Sequence, residues 1–267
     1  MQKKGKFILM SVAEFGQWLS DNRFNRVVRL IQNHHTYSPS YKDFTGSNHF
    51  ALLEGMERFH MVERGFSEIA QNLTIFPDGK IAVCRPLDTI PAGIKGANQA
   101  GICIENLGKF DKNADAMTDS QREAIIQVNA LLCREFHILP STDSIVFHHW
   151  YDLNTGQRTD GEGTTKSCPG TGFFGGNTVE AAETGFIPLI RAAVSSLAPE
   201  EAESPDLVTA EVTALSLNVR SGPGRSFPVV KSLNKGINVS VCEESGGWFR
   251  IHSAEQHWVS GRYLRFI

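Results

Sequence analysis

Hydrophobic and polar positions change period repeatedly along the first 197 residues. Ser11-x-x-Glu14 has the capping-box pattern and precedes an amphipathic run to about Ser20, which predicts a helix. Residues 24–32 (FNRVVRLIQ) alternate and predict a strand ending at His34-His35. Residues 48–62 follow a helical period. Residues 69–76 predict a strand, Pro77-Asp78-Gly79-Lys80 a hairpin turn, and residues 81–85 the return strand. A further strand is predicted at 101–105, and a long helix opened by T-D-S-Q at 118–136. A short buried strand at 144–148 and a closing helix at 177–197, interrupted at Gly185 and Pro188, complete the series. Strands and helices interleave, so this part is predicted to be an α/β domain.

Residues 198–206 (APEEAESPD) are acidic, carry two prolines and lack apolar periodicity, which predicts a solvated linker. From 207 to 267 short β-like runs are separated by turn residues at 221–224, 234–236 and 245–247. The pattern predicts a small all-β barrel. The expected organisation is therefore a domain at 1–197, a linker at 198–206 and a second domain at 207–267.

The length of 267 residues suits two domains, and a content of 41% hydrophobic and 21% charged residues supplies a core without a disorder signature. A net charge of −3 argues against a nucleic-acid partner. No window approaches 18 apolar residues, so membrane insertion is not expected. Lys3, Lys4 and Lys6 followed by a short apolar run resemble the start of a signal peptide. That run contains Ser11 and reaches Glu14 without a small-residue cleavage site, so it reads as mature sequence.

Cysteines stand at 84, 103, 133, 168 and 242, an odd number whose spacing fits no disulfide framework. Cys84, Cys103 and Cys133 lie in apolar surroundings and read as core residues. Cys168 lies in a Gly/Pro/Ser/Thr loop, where packing does not explain it. It belongs to Lys166-Ser167-Cys168-Pro169-Gly170, and two histidine pairs, His34-His35 and His148-His149, lie far upstream. Three distant segments thus each offer a nitrogen or sulfur donor. A catalytic zinc needs three protein ligands and one open position for water, and it polarises a carbonyl while acidifying that water. The chemistry implied is hydrolysis of an acyl bond.

Several segments resemble the zinc amidase family, which includes type-2 N-acetylmuramoyl-L-alanine amidases, phage T7 lysozyme and peptidoglycan recognition proteins. They are N-H-H-T at 33–36, R-G-F-S-E-I at 64–69, F-P-D-G-K-I at 76–81, G-I-C-I-E-N-L-G-K-F at 101–110, I-V-F-H-H at 145–149 and K-S-C-P-G at 166–170. The resemblance spans about residues 24–197. It implies a mixed β-sheet flanked by helices, a Zn2+ cofactor in an open groove, and cleavage of the amide between N-acetylmuramic acid and L-alanine. The ligands it implies are His34, His148 and Cys168. Counting along I-V-F-H favours His148, whereas anchoring on Asp152 favours His149. Adjacent strand residues face opposite ways, so only one of the two is expected to bind.

The resemblance also implies Lys166 as a stabiliser of the oxyanion and Glu105 as general base. Some members carry an acid where this chain has Cys103, and Glu105 shares that strand face. His35, Gln71, Asn72, Trp150 and Arg220 are candidate substrate contacts. Two departures stand out. Gln71 occupies the place of a catalytic Tyr, and Gln cannot act as a general acid. The loop at 150–165 is longer than usual and is placed to wall the groove.

Residues 216–224 (SLNVRSGPG), with G-G-W-F-R-I at 246–251 and H-W-V-S at 257–260, resemble bacterial SH3 domains. That resemblance implies a cell-wall targeting module. Leu217, Val219, Trp248, Ile251, Trp258, Val259 and Leu264 read as its core, and Asn218, Arg220 and Tyr263 as surface. Taken together, the expectation is a monomeric hydrolase of the cell envelope, an autolysin or lysin, whose partner is bacterial peptidoglycan (glycan strand and stem peptide). The competing expectation is a non-catalytic recognition protein of the same fold.

Overall fold

A computed structural model describes residues 1–197, 208–252 and 255–267, with the Val208 side chain left out. The segment expected to be a linker, 198–206, lies outside the described residues. The chain divides into two compact units, Met1–Ala198 and Pro199–Ile267.

In the first unit the order is β1 (Gln2–Lys4), β2 (Phe7–Met10), α1 (Val12–Asp21), β3 (Leu30–His35) and α2 (His49–Val62). Then come β4 (Leu73–Ile75), β5 (Ile81–Val83), β6 (Gly101–Asn106), α3 (Asp119–Glu135), β7 (Ile145–Phe147), α4 (Val179–Ala181) and α5 (Ile187–Leu197). One seven-stranded sheet has the order β1-β2-β5-β4-β6-β3-β7. β4, β6, β3 and β7 run parallel, while β5, β2 and β1 pair antiparallel. The mixed α/β sheet expected from the sequence is therefore present. The apolar run near the N-terminus is a strand of this sheet rather than an isolated hydrophobic segment.

The two faces of the sheet have different company. Ile31, Leu73, Ile75, Ile102, Ile104, Ile145 and Phe147 pack with Ala124, Ile125, Val128 and Leu132 of α3, Ile187 and Ile190 of α5, and Phe15 and Leu19 of α1. On the opposite face Leu53 and Met56 of α2 cover Phe7, Leu9, Ala82 and Cys84. The same face, farther along toward β6 and β3, carries Cys103, Glu105, Gln32 and His34. Polar chemistry is thus gathered beside the part of the sheet that α2 covers.

Local signals explain most boundaries. Ser11 and Glu14 form the predicted capping box of α1, and the Thr118 side chain caps α3 by accepting from Gln121 N. The strand predicted at 24–32 forms only from Leu30. Upstream, Asp88 accepts the Asn25 and Arg26 N–H groups, and the Arg26 guanidinium donates to Leu87 O, Thr89 O and Gly101 O. That stretch is held by a loop, not by a ladder. In the closing segment, residues 182–186 form a π-turn between α4 and α5. Gly185 lies there because a Cβ would stand 2.4 Å from Phe174 O. Pro188 follows directly on this π-turn, as the second residue of α5.

Among its described residues the second unit is all-β apart from one turn at Gly261–Tyr263. Its strands are β8 (Val208–Val212), β9 (Ser216–Arg220), β10 (Val229–Asn234), β11 (Asn238–Val241), β12 (Glu243–Ser245), β13 (Trp248–Arg250), β14 (Trp258–Ser260) and β15 (Leu264–Phe266). Two sheets, β10-β9-β14-β13-β12 and β11-β8-β15, enclose Ala210, Val212, Leu217, Val219, Val239 and Val259, with Phe249, Ile251 and Leu264 packed on them.

Candidate metal centre

The site lies at the carboxyl ends of the parallel strands, the usual place for chemistry in such sheets. β3 pairs β6 with His34 opposite Glu105, and β4 pairs β6 with Thr74 opposite Glu105. These three side chains therefore share a face. β7 pairs β3 with Phe147 opposite Asn33. Phe147 turns into the helix-packed core, and His148, the next residue, falls on the His34 side.

The loop after β7 returns Cys168 to the same place. His34 Nδ1 lies 3.3 Å from His148 Nδ1 and 3.5 Å from Cys168 Sγ. One donor atom from each of the three residues lies within 4.8 Å of the others. Zn–N bonds of about 2.0–2.1 Å and a Zn–S bond of about 2.3 Å in a tetrahedron require edges of roughly 3.3–3.4 Å between nitrogens and about 3.6 Å from nitrogen to sulfur. The observed edges match, so these residues fit a tetrahedral zinc. Of the two adjacent histidines, His148 is the one that joins this donor cluster. His149 turns away, with its Nδ1 2.8 Å from Lys166 O.

Burial prepares the donors. His34 is 2% exposed, and burial, then the charges of His148 and Lys166, push its pKa well below the ordinary value. His148 is lowered to about 4 by burial and by Lys166. Both imidazoles are therefore neutral near pH 7, the form that binds metal. Burial and then Glu105 push the Cys168 thiol upward, so a cation is needed to hold its thiolate. Glu105 Oε1 stands 3.9 Å from His34 Nδ1, while its Oε2 is buried with no hydrogen-bond partner. Burial raises Glu105 to about 8, against the opposing pull of Lys166. Cys103, wholly buried on the next pleat, forms a second donor group with His34 and Glu105.

Lys166 is exposed two residues before Cys168. The proposed substrate contacts fare differently. Gln71 is fully buried, and its amide nitrogen donates to Thr74 Oγ1 at 3.0 Å. Asn72 is also fully buried. Its amide donates to Pro86 O and Thr89 O and its oxygen accepts from Cys103 N, so its polar capacity is spent on stitching a loop to the sheet. Trp150 is buried, with its indole N–H donated to Asn177 O at 2.7 Å. These three are interior residues with no face left for a groove. His35 is 6% exposed and its Nδ1 accepts from Phe110 N, which makes it chiefly a clamp on the loop after β6. Arg220 lies on β9 of the second unit and donates to Phe227 O.

The loop at 150–165 is tightly built. Asp152 accepts from the N–H groups of Asn154, Thr155 and Thr164. A Cβ on Gly96 would stand 2.0 Å from Gly156 O, so this loop lies backbone to backbone on residues 95–96. A Cβ on Gly93 would likewise meet Gln32 Oε1 and Cys103 Sγ. The two loops together cover the Gln32–Cys103 end of the site face. Nothing in the spacing of the sequence signals this contact.

A mixed sheet thus carries a His/His/Cys donor cluster at the carboxyl ends of its parallel strands, a donor set able to hold a metal ion. The chain belongs to the N-acetylmuramoyl-L-alanine amidase family, whose model matches residues 24–171, more than half its length. Residues 215–265 match the bacterial SH3 domain. Among curated proteins, "Putative N-acetylmuramoyl-L-alanine amidase YrvJ" of Bacillus subtilis (strain 168) is 41% identical over 63 residues, which are 23% of this chain and 12% of that relative's length. Among solved structures, wild-type Drosophila PGRP-LB is 20% identical with a TM-score of 0.46, covering 60% of this chain and 83% of its own. The endolysin amidase LysCS from Clostridium intestinale URNW is 22% identical with a TM-score of 0.41, covering 55% and 78%.

Proposed function

We propose that this protein is a zinc-dependent amidase that cleaves the bond between N-acetylmuramic acid and L-alanine in bacterial peptidoglycan. The observation that carries the reading is the His34–His148–Cys168 cluster, spaced like three corners of a zinc tetrahedron beside a half-buried carboxylate. Two imidazoles and a thiolate suit zinc better than magnesium or calcium, which prefer oxygen donors. When bound there, zinc supplies Lewis-acid polarisation of the amide carbonyl and a more acidic water.

The chain's own groups do the rest. Glu105, whose ionised form a metal bound beside it would favour despite its burial, lies across the same face and accepts a proton from the attacking water. As the new C–O bond forms and the C–N bond breaks, it returns that proton to the departing L-alanine amine. Gln71 is buried and its amide cannot act as a general acid, so one carboxyl group serves both transfers. Lys166 offsets the negative charge growing on the carbonyl oxygen. The SH3-like unit, through surface groups such as Arg220, holds the enzyme on the wall, and its place of action is the cell envelope.

The Cys168→Ala variant tests the reading. It is expected to lose zinc and cleavage while still sedimenting with insoluble peptidoglycan. Cleavage at the wild-type rate by a zinc-free C168A protein would contradict it.

A further inference from the structure

We infer that His149, the histidine left out of the donor cluster, is a positioning residue that sets where Lys166 stands over the site. The inference rests on the role of Lys166 proposed above.

Three contacts carry it. His149 Nδ1 lies 2.8 Å from the Lys166 carbonyl oxygen. A carbonyl only accepts, so Nδ1 carries the proton and donates. The same nitrogen is 3.3 Å from Thr165 Oγ1. The backbone N–H of His149 donates to Cys168 O at 2.8 Å. One residue at the end of β7 therefore grips both ends of Lys166-Ser167-Cys168, and Asn177 Nδ2 holds the middle at Ser167 O, 2.8 Å away.

The other side of the ring is fixed as well. A Cβ on Gly161, whose φ is +105°, would lie 2.7 Å from His149 Nε2, so the long loop closes onto the imidazole edge. Asp152 braces that loop through Thr164 N at 3.0 Å. Among the described residues the Lys166 ammonium makes no ion pair within 4.0 Å. A free lysine head on a long stem loses rotamer freedom when it is ordered. With nothing gripping the head, the fixed main chain at Lys166 is what limits where it can reach, and His149 fixes that main chain.

The test compares His149→Ala, Lys166→Met, the double variant, His149→Asn and His149→Gln on a soluble muramoyl-L-alanyl peptide. Zinc content and thermal midpoint are measured alongside. K166M should lower kcat by roughly 10²-fold, the usual loss for one oxyanion partner. H149A should lower kcat with zinc content and KM unchanged, and should add nothing in the K166M background. H149N, whose amide nitrogen overlays Nδ1, should restore most of kcat, whereas H149Q, whose amide reaches one bond farther, should not. Additive losses in H149A/K166M, or loss of zinc from H149A, would overturn the inference. If H149A fails to fold, equal kcat values for H149N and H149Q overturn it instead. A K166M enzyme with wild-type kcat removes the role of Lys166 and this inference with it, but leaves the metal cluster standing.

Discussion

Burial moves the pKa values of the site's histidine and carboxyl in opposite directions, each toward the neutral form, and those shifts are measurable without substrate. His148 is lowered to about 4 and Glu105 raised to about 8, in both cases chiefly by burial. For the metal-free protein the signs follow from linkage. The histidine's contribution is present above its unfolded value of 6.5 and is lost as pH falls toward about 4. The carboxyl's contribution is full below 4.5 and is lost as pH rises toward about 8. Denaturant titrations of the metal-free protein should therefore show wild type losing stability relative to Glu105→Gln between about pH 5 and pH 8. The slope should be no more than about 1.4 kcal/mol per pH unit for one proton. A flat difference would mean that Glu105 is solvated. In the zinc-loaded enzyme E105Q should lower kcat by about 10²- to 10⁴-fold, since it can neither take nor return a proton.

At the scale of elements, the strands end where the chemistry begins. β3 runs straight into His34 and β6 through Glu105, and Phe147 anchors β7 among Trp150, Phe173 and Phe186 just before His148. Phe147→Ala should cost about 3–5 kcal/mol by thermal or denaturant unfolding, because it opens a cavity in a wholly buried cluster. Thr118→Ala should cost about 1 kcal/mol through the lost cap of α3. Period and capping made these elements legible in the sequence: α2, α3, β6 and β7 lie close to their predicted spans. The donor trio was legible because each residue ends a strand or sits in a loop that packing does not explain. Gln71, Asn72 and Trp150, expected at the groove, are buried. Gln71 bonds Thr74, three residues on in β4, whereas Asn72 and Trp150 bond groups brought in by other segments, which no local pattern encodes. Arg26 hides the true start of β3 in the same way, by donating to carbonyls about 60 or more residues away.

At the scale of the molecule, two compact units carry separate cores, one on the seven-stranded sheet and one in the SH3-like fold. If the second unit tethers the first to the wall, a chain ending at residue 197 should cleave a soluble muropeptide at nearly the full rate and be retained poorly on insoluble wall. Equal retention would move the binding into the amidase unit. The central claim is tested most directly by digesting insoluble peptidoglycan with the purified full-length protein, with chelator and after zinc is restored, and identifying the newly released amino termini. The account predicts L-alanine termini that vanish with chelator and return with zinc. Wall binding without any new terminus, or a terminus from within the stem peptide, would contradict it.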